Sequence, residues 1–330
     1  MQLKYLFQLN LALETEKFNK LLNRVYHSPK GEYLTYSDND EYVDSTLASK
    51  GITVTYRDSS KKKIKLTVDP NWILVRDGVD DNHIARPIRK LETHIGNYFK
   101  SEYELNDFKL SKMGIITDID VRERGKVAAY MKILQKTGKV KGFSPANDNR
   151  LNNEDSFCLK GNSNATTFLI YDLEKLAKDQ LMEVESKKMR SKTEKAEGIL
   201  RTEVWLAATK AIRHFTDETF VSEQIADLSI NGEKIFFDIF MRIVPIGDLY
   251  KKNKAVEIIA TKVNDRTLRW KMLRLLELIP EKKSLLLAQK ALNCRRIDDV
   301  MEMFSSIEVS PVTISKRHEF KKLRSLYRYL

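Results

Sequence analysis

Apolar residues at Leu3, Tyr5, Phe7, Leu9, Leu11 and Leu13 recur at period two, which predicts a half-buried strand. A polar loop with Pro29-Lys30-Gly31 and Asp38-Asn39-Asp40 is expected after it. Gly51 to Val68 reads as two strands around the turn Asp58-Ser59-Ser60. In the second, Ile64, Leu66 and Val68 face one way and Lys63, Lys65 and Thr67 the other. Asp69-Pro70 ends it, because proline cannot donate to a ladder.

Further on, Ile88, Leu91, Ile95 and Phe99 form the stripe of a helix over 87–100. Met113 to Val121 predicts a strand and Lys126 to Thr137 an amphipathic helix. Residues 142–163 are rich in Asn, Asp, Ser and Gly, the signature of a long loop or a loose hairpin. Thr166 to Leu173 predicts a strand, Glu174 to Lys195 a highly charged helix, and Ile199 to Leu206 the last clear strand. From about 207 to 307 the spacing turns helical. Three successive short helices are expected over Arg266–Ile279, Glu281–Leu292 and Arg296–Ile307, with Pro280 near the start of the second. The layout is α+β: a mostly antiparallel sheet with flanking helices over 1–210, then a helical DNA- or partner-binding domain over 211–330. No internal repeat is visible.

The length of 330 residues and the 42% hydrophobic content suffice for a packed core. Fifty-eight Lys and Arg against 46 Asp and Glu give a net charge of +12, spread along the chain, and the pI is near 9.4. Such a chain favours a polyanionic partner, nucleic acid above all. No apolar run approaches the roughly 20 residues that span a bilayer. The first residues alternate, unlike a signal peptide. The two cysteines, Cys158 and Cys294, are far apart and have no partners at zinc spacing. A reducing cytoplasm is the simplest setting.

Asp118 and Asp120 lie two apart in a strand and project from one face. Like charges so close are explained by a bound divalent cation such as Mg²⁺ or Mn²⁺, or by a strand end that caps the turn before Arg122-Glu123-Arg124-Gly125. In Ile199–Leu206 one face carries Arg201, Glu203 and Trp205. A lone acid there is costly to bury unless it is paired or ligates a metal; the plain alternative is an Arg201–Glu203 surface pair. Tyr171 stands near the end of its strand. A tyrosine can attack a phosphodiester, though most strand tyrosines only pack. No phosphate-binding G-x-x-x-x-G-K-[ST], no G-x-S-x-G, no H-E-x-x-H and no His-x-His pair occurs. Basic runs are plentiful. Lys61, Lys62 and Lys63 flank the hairpin turn, and Lys187-Lys188-Met189-Arg190-Ser191-Lys192 lies in the charged helix. The final stretch has Lys316, Arg317, Lys321, Lys322, Arg324 and Arg328 against Glu319, with Tyr327 and Tyr329 interleaved. That mixture suits phosphate contact with base stacking, or else a docked terminal helix.

The order of "GIITDIDV", "TTFLIYDLEK" and "ILRTEVWL" resembles rolling-circle replication initiators, the group of the filamentous-phage gene II product and plasmid replication proteins. In that group a strand R-I-D-x-x-x-D precedes Y-[DN]-K and R-x-E-[VI]-x-L. The hairpin "KGITVTYRDSSKKKIKLTVDP" and the tail "SSIEVSPVTISKRHEFKKL" are similar to the group's first hairpin and last segment. Here Ile116 stands at the earlier Asp position, Leu173 in place of the lysine, and Asp69 in place of Asn before Pro70. The resemblance implies a replication-nuclease-like fold and a DNA nicking and joining enzyme. Tyr171 would be the nucleophile. Asp118, Asp120 and Glu203 would hold Mg²⁺ or Mn²⁺ on the scissile phosphate, Glu203 being catalytic as well. Arg201 and Lys160 would neutralise phosphate charge. The implied partners are double-stranded origin DNA, its exposed single strand, and a host helicase or polymerase. Two readings compete: an initiator that binds the origin without nicking, and an adaptor whose basicity only aids solubility.

Overall fold

The computed structural model describes residues 1–27, 34–37, 40–70, 84–147, 154–183, 195–294 and 296–330, the side chains of 180–183 excepted. The chain is α+β. The described residues hold twelve strands and eleven α-helices, and seven of the helices lie within 209–306. Contacts divide it into two compact units that interleave along the chain.

One unit comprises Leu3–Ile116 and Trp205–Ile235. Its strands are β1 (Leu3–Ala12), β2 (Leu34–Ser37), β3 (Glu41–Asp44), β4 (Ile52–Arg57) and β5 (Lys63–Val68), joined by the first part of β6 (Lys109–Asp120) in the order β2-β3-β4-β5-β1-β6. The register aligns the apolar face across three antiparallel strands. Phe7 meets Val68 and Val68 meets Ile52; Leu9 meets Leu66 and Leu66 meets Val54; Leu11 meets Ile64 and Ile64 meets Tyr56. All nine are buried. A one-residue slip would turn the whole set to the other face, so this pattern fixes the register. Helix α1 (Thr15–Tyr26) buries Phe18 and Leu21, and the Phe18 ring lies 6.0 Å from Tyr56. Helix α2 (Ala85–Phe99) buries the expected Ile88, Leu91, Ile95 and Phe99. The same unit holds α5 (Thr209–Arg213) and α6 (Val221–Ile230).

The other unit comprises Met1–Gln2, Thr117–Val204 and Phe236–Leu330. Its strand order is β6-β10-β9-β8-β7, with β7 (Phe143–Ala146), β8 (Ser156–Gly161), β9 (Thr166–Asp172) and β10 (Ile199–Leu206). Strands β7, β8 and β9 pair antiparallel, so the described part of the Asn- and Ser-rich stretch carries the hairpin that was one of its two expected forms. On one face Phe168 lies 6.1 Å from Phe240 of α7 (Gly232–Ile243). The unit also holds α3 (Arg124–Thr137), α4 (Leu173–Glu183), α8 (Lys252–Lys262), α9 (Arg266–Lys282), α10 (Leu285–Leu292) and α11 (Ile297–Ser306). Pro280 falls inside α9 rather than at the start of the next helix. The break comes at Lys283, whose φ is +49°, and Ser284 caps α10 by accepting from the Leu287 N–H at 3.2 Å.

The charged helix after β9 is described as far as Glu183. The run Lys187–Lys192, Pro29-Lys30-Gly31 and Asp38-Asn39 lie outside the described residues. No helix of the described residues is long and apolar enough to cross a membrane.

Candidate active site on one sheet face

The adjacency of β6, β10 and β9 brings four of the sequence-predicted residues together. Glu203 sits in β10 at 3% exposure, so burial of its carboxylate demands a partner. The partner is Tyr171 of β9, itself 1% exposed, whose hydroxyl donates to Glu203 Oε1 at 2.7 Å. Arg201, two residues before Glu203, points from the same strand face. It forks onto Asp118 of β6: Nε donates to Oδ1 at 2.6 Å and an Nη to Oδ2 at 2.9 Å. Two parallel charge-assisted bonds fix the guanidinium plane. Burial works against the Arg201 charge. The Asp118 bonds and charge outweigh it, with smaller contributions from Tyr171 and Glu203, and hold the guanidinium above its ordinary pKa. Two cross-strand pairs, Tyr171–Glu203 and Arg201–Asp118, thus hold these side chains.

The face is roofed by an apolar cluster. Cys158, Leu169 and Tyr171 are buried together, with Ala146, Leu173 and Leu176 packed on them. Leu173 and Leu176 belong to α4, so the start of that helix serves as cover. Helix α4 is tied down at its start. Asp172 Oδ1 accepts from the Glu174 and Lys175 N–H groups at 3.0 and 3.3 Å, and burial raises the Asp172 pKa. Glu174 accepts from Arg124 Nε of α3 at 2.7 Å and pairs with Lys178 at 2.6 Å. Neither contact was foreseen: the signal for the Asp172 cap is the acid before a helix in "YDLEK", and the Arg124 bridge spans fifty residues.

Asp120 stands apart from this set. It is exposed, and its Oδ1 accepts from the Arg122 N–H at 2.8 Å, the turn-capping role foreseen as one alternative. Among the described residues no group of three or more His, Cys, Asp or Glu is placed to hold a metal ion. Asp118 already gives both oxygens to Arg201. In this arrangement Asp118, Asp120 and Glu203 do not fit a shared divalent ion unless Arg201 lets go.

The remaining predicted residues are spread out. Lys160 is exposed on β8, on the face that carries Cys158. In the other unit Lys61 is exposed and Lys63 begins β5, while Lys62 is paired with Asp58 and lies 5.8 Å from the Phe18 ring. Lys316, Arg317, Lys321, Lys322 and Arg324 are exposed. The last stretch is no helix. Lys322–Leu323 forms β12, paired with β11 (Leu249–Tyr250), and Leu326–Arg328 is a 3₁₀ turn. Tyr327 donates its hydroxyl to the Val244 carbonyl at 2.6 Å and packs on Phe240 at 5.0 Å, so it is a packing residue.

Comparison with known protein families and with curated proteins gives no match to this chain.

Proposed function

We propose that this chain is a replication initiator that binds a phage or plasmid origin and nicks one strand through Tyr171. The observation that carries the reading is the buried Tyr171–Glu203 hydrogen bond at 2.7 Å, beside the Arg201–Asp118 fork. A phenol is a weak nucleophile at neutral pH, and an adjacent carboxylate is the group that accepts its proton. In the proposed step the Tyr171 oxygen bonds to phosphorus and Glu203 takes the phenolic proton. The bond from phosphorus to the 3′ oxygen breaks, and the leaving oxygen takes up a proton. The products are a 5′-phosphotyrosine and a free 3′-OH. Arg201 is the cation at hand for the developing phosphate charge. Attack requires the cover of Leu173 and Leu176 to move, because Tyr171 is buried in this state. The fold that accompanies this reading is replication-nuclease-like, and the cytoplasm is its place of action.

The test is incubation with supercoiled DNA carrying the origin of the same replicon, with Mn²⁺, with Mg²⁺ and with neither. Open-circle DNA that stays bound to protein through SDS is expected, and it disappears in Tyr171→Phe. A second reading, origin binding without nicking, is favoured by the 1% exposure of Tyr171. It prevails if a salt-sensitive origin complex forms and no nick appears under any of the three conditions.

A further inference from the structure

Beyond Asp120 the chain makes a strained turn. Arg122 has φ +70°, a region that L side chains avoid, and the Asp120 carboxylate holds its N–H. Gly198, with φ +76°, backs the turn: its carbonyl accepts from the Val121 N–H at 2.9 Å. A Cβ at 198 would lie 3.1 Å from both the Arg122 carbonyl carbon and the Glu123 nitrogen. The backbone therefore fixes where the Arg122 side chain starts, just ahead of α3.

That turn forms one wall of a cavity of about 550 Å³, and Lys322 to Tyr329 form the other. Five cations line it, Arg122, Lys126, Lys322, Arg324 and Arg328, against one lining acid, Glu123. Three of the five have acidic partners. Lys126 meets Glu123 at 2.7 Å. Lys322 holds the buried Asp248 at 2.8 Å. Arg328 meets Glu308 at 2.8 Å and Asp248 at 3.6 Å. Glu319 approaches Gly125 in the first turn of α3 and does not line the cavity. Arg122 and Arg324 are exposed, and neither forms an ion pair with another described residue. Two positive charges therefore converge unspent on one concavity. The first turn of α3, whose Glu123 N-cap makes no side-chain capping bond, adds N–H dipoles of the same sign. The half-buried ring of Tyr329 lies on the same wall, 6.5 Å from Tyr130.

We propose that this cavity binds the phosphodiester backbone of a single-stranded nucleic acid, with Arg122 and Arg324 on the phosphates and Tyr329 against a base. Paired cations with one aromatic face are what a flexible strand needs, since stacking is indifferent to sequence. The proposal deepens the replication reading by naming a strand-holding site, and it does not depend on Tyr171 acting as nucleophile. A free nucleoside triphosphate offers the same phosphate chemistry, so the experiment carries both ligands.

Anisotropy of a labelled twelve-residue oligo-dT is measured with the full chain in EDTA, across a salt series, and dTTP is tested as competitor. In Arg122→Ala/Arg324→Ala the affinity should fall about tenfold, and the salt slope should drop by about 1.4, that is 0.7 for each lost phosphate contact. Lys17→Ala/Lys20→Ala removes the same charge from exposed lysines of α1 and should stay within twofold of the parent. The assay reads binding alone, in EDTA, which separates this result from any failure of nicking. Equal losses in both double variants would overturn the site, as would an unchanged slope in Arg122→Ala/Arg324→Ala with its circular dichroism intact. Displacement of the strand by equimolar dTTP would replace it with a nucleotide site and overturn the proposal.

Discussion

Glu203 shows how a single buried charge constrains its neighbours. Its carboxylate is 3% exposed and takes a hydrogen bond from Tyr171. Removing that donor by Tyr171→Phe should cost about 1–3 kcal/mol, measured by urea unfolding. No shift of the midpoint would mean that the bond contributes nothing. Asp118→Ala removes both acceptors of Arg201 and should cost about 1.5–3 kcal/mol, with Asp118→Asn costing less because one acceptor oxygen survives. Asp248 supplies a pH signature. Burial raises its pKa, but the bond from Lys322, then the Ser325 N–H and the nearby cations, outweigh burial and hold it below the usual 3.8. A carboxylate depressed in the folded state stabilises above its unfolded pKa and loses that stabilisation as the pH falls through the folded value. The parent should therefore lose stability below about pH 4 more steeply than Asp248→Asn, as read by thermal melts between pH 5 and 2. At this scale the sequence was informative in part. The cost of burying a lone acid in β10 pointed to a partner for Glu203. Its identity lay 32 residues away in a neighbouring strand, and strand order is not written in local spacing.

At the level of elements, periodicity carried the reading where the pattern was long. The faces of β5 and α2 follow their apolar stripes residue for residue. Helix α1 was not foreseen, although Phe18, Leu21, Leu22 and Val25 have helical spacing, because polar residues dilute the stripe and Pro29 follows closely. The pairs β2–β3 and β7–β8 are four-residue strands or short hairpins whose partners, more than their composition, make them strands. Two glycines hold junctions that no other residue fits easily. Gly198→Ala forces a side chain into a left-handed position against the Arg122 turn and should cost at least about 1–2 kcal/mol. Gly138, with φ +52°, ends α3 where a Cβ would collide with the Lys283 carbonyl. Gly138→Ala should be the more damaging of the two, since its Cβ would lie 2.3 Å from backbone against 3.1 Å at Gly198. Thermal denaturation of both variants checks the order, and the reverse order would contradict it.

The whole molecule departs most from a linear reading. A change of character near residue 207 is visible in the chain, and seven α-helices do follow β10. Compactness nevertheless follows non-local pairing: Trp205–Ile235 clusters with Leu3–Ile116, and Phe236–Leu330 with Thr117–Val204. Hydrophobic spacing cannot report which distant segments share a core. Net charge acts at this scale as well. On the proposed function, a surplus of twelve cations predicts that binding to origin DNA weakens steeply with salt, with a log–log slope near −0.9 for each phosphate contact on duplex. Filter binding between 50 and 200 mM salt checks it, and a flat profile would leave the basicity as a solubility device.

The most direct measurement is the mass of the DNA-linked peptide. Protein incubated with origin DNA is trapped in SDS, digested with nuclease and protease, and sequenced by mass spectrometry. A nucleotide joined through phosphate to Tyr171, in the peptide that contains "TTFLIYDLEK", is the predicted result. A nucleotide on any other tyrosine, or a nicked product with no nucleotide on the protein, would contradict the account.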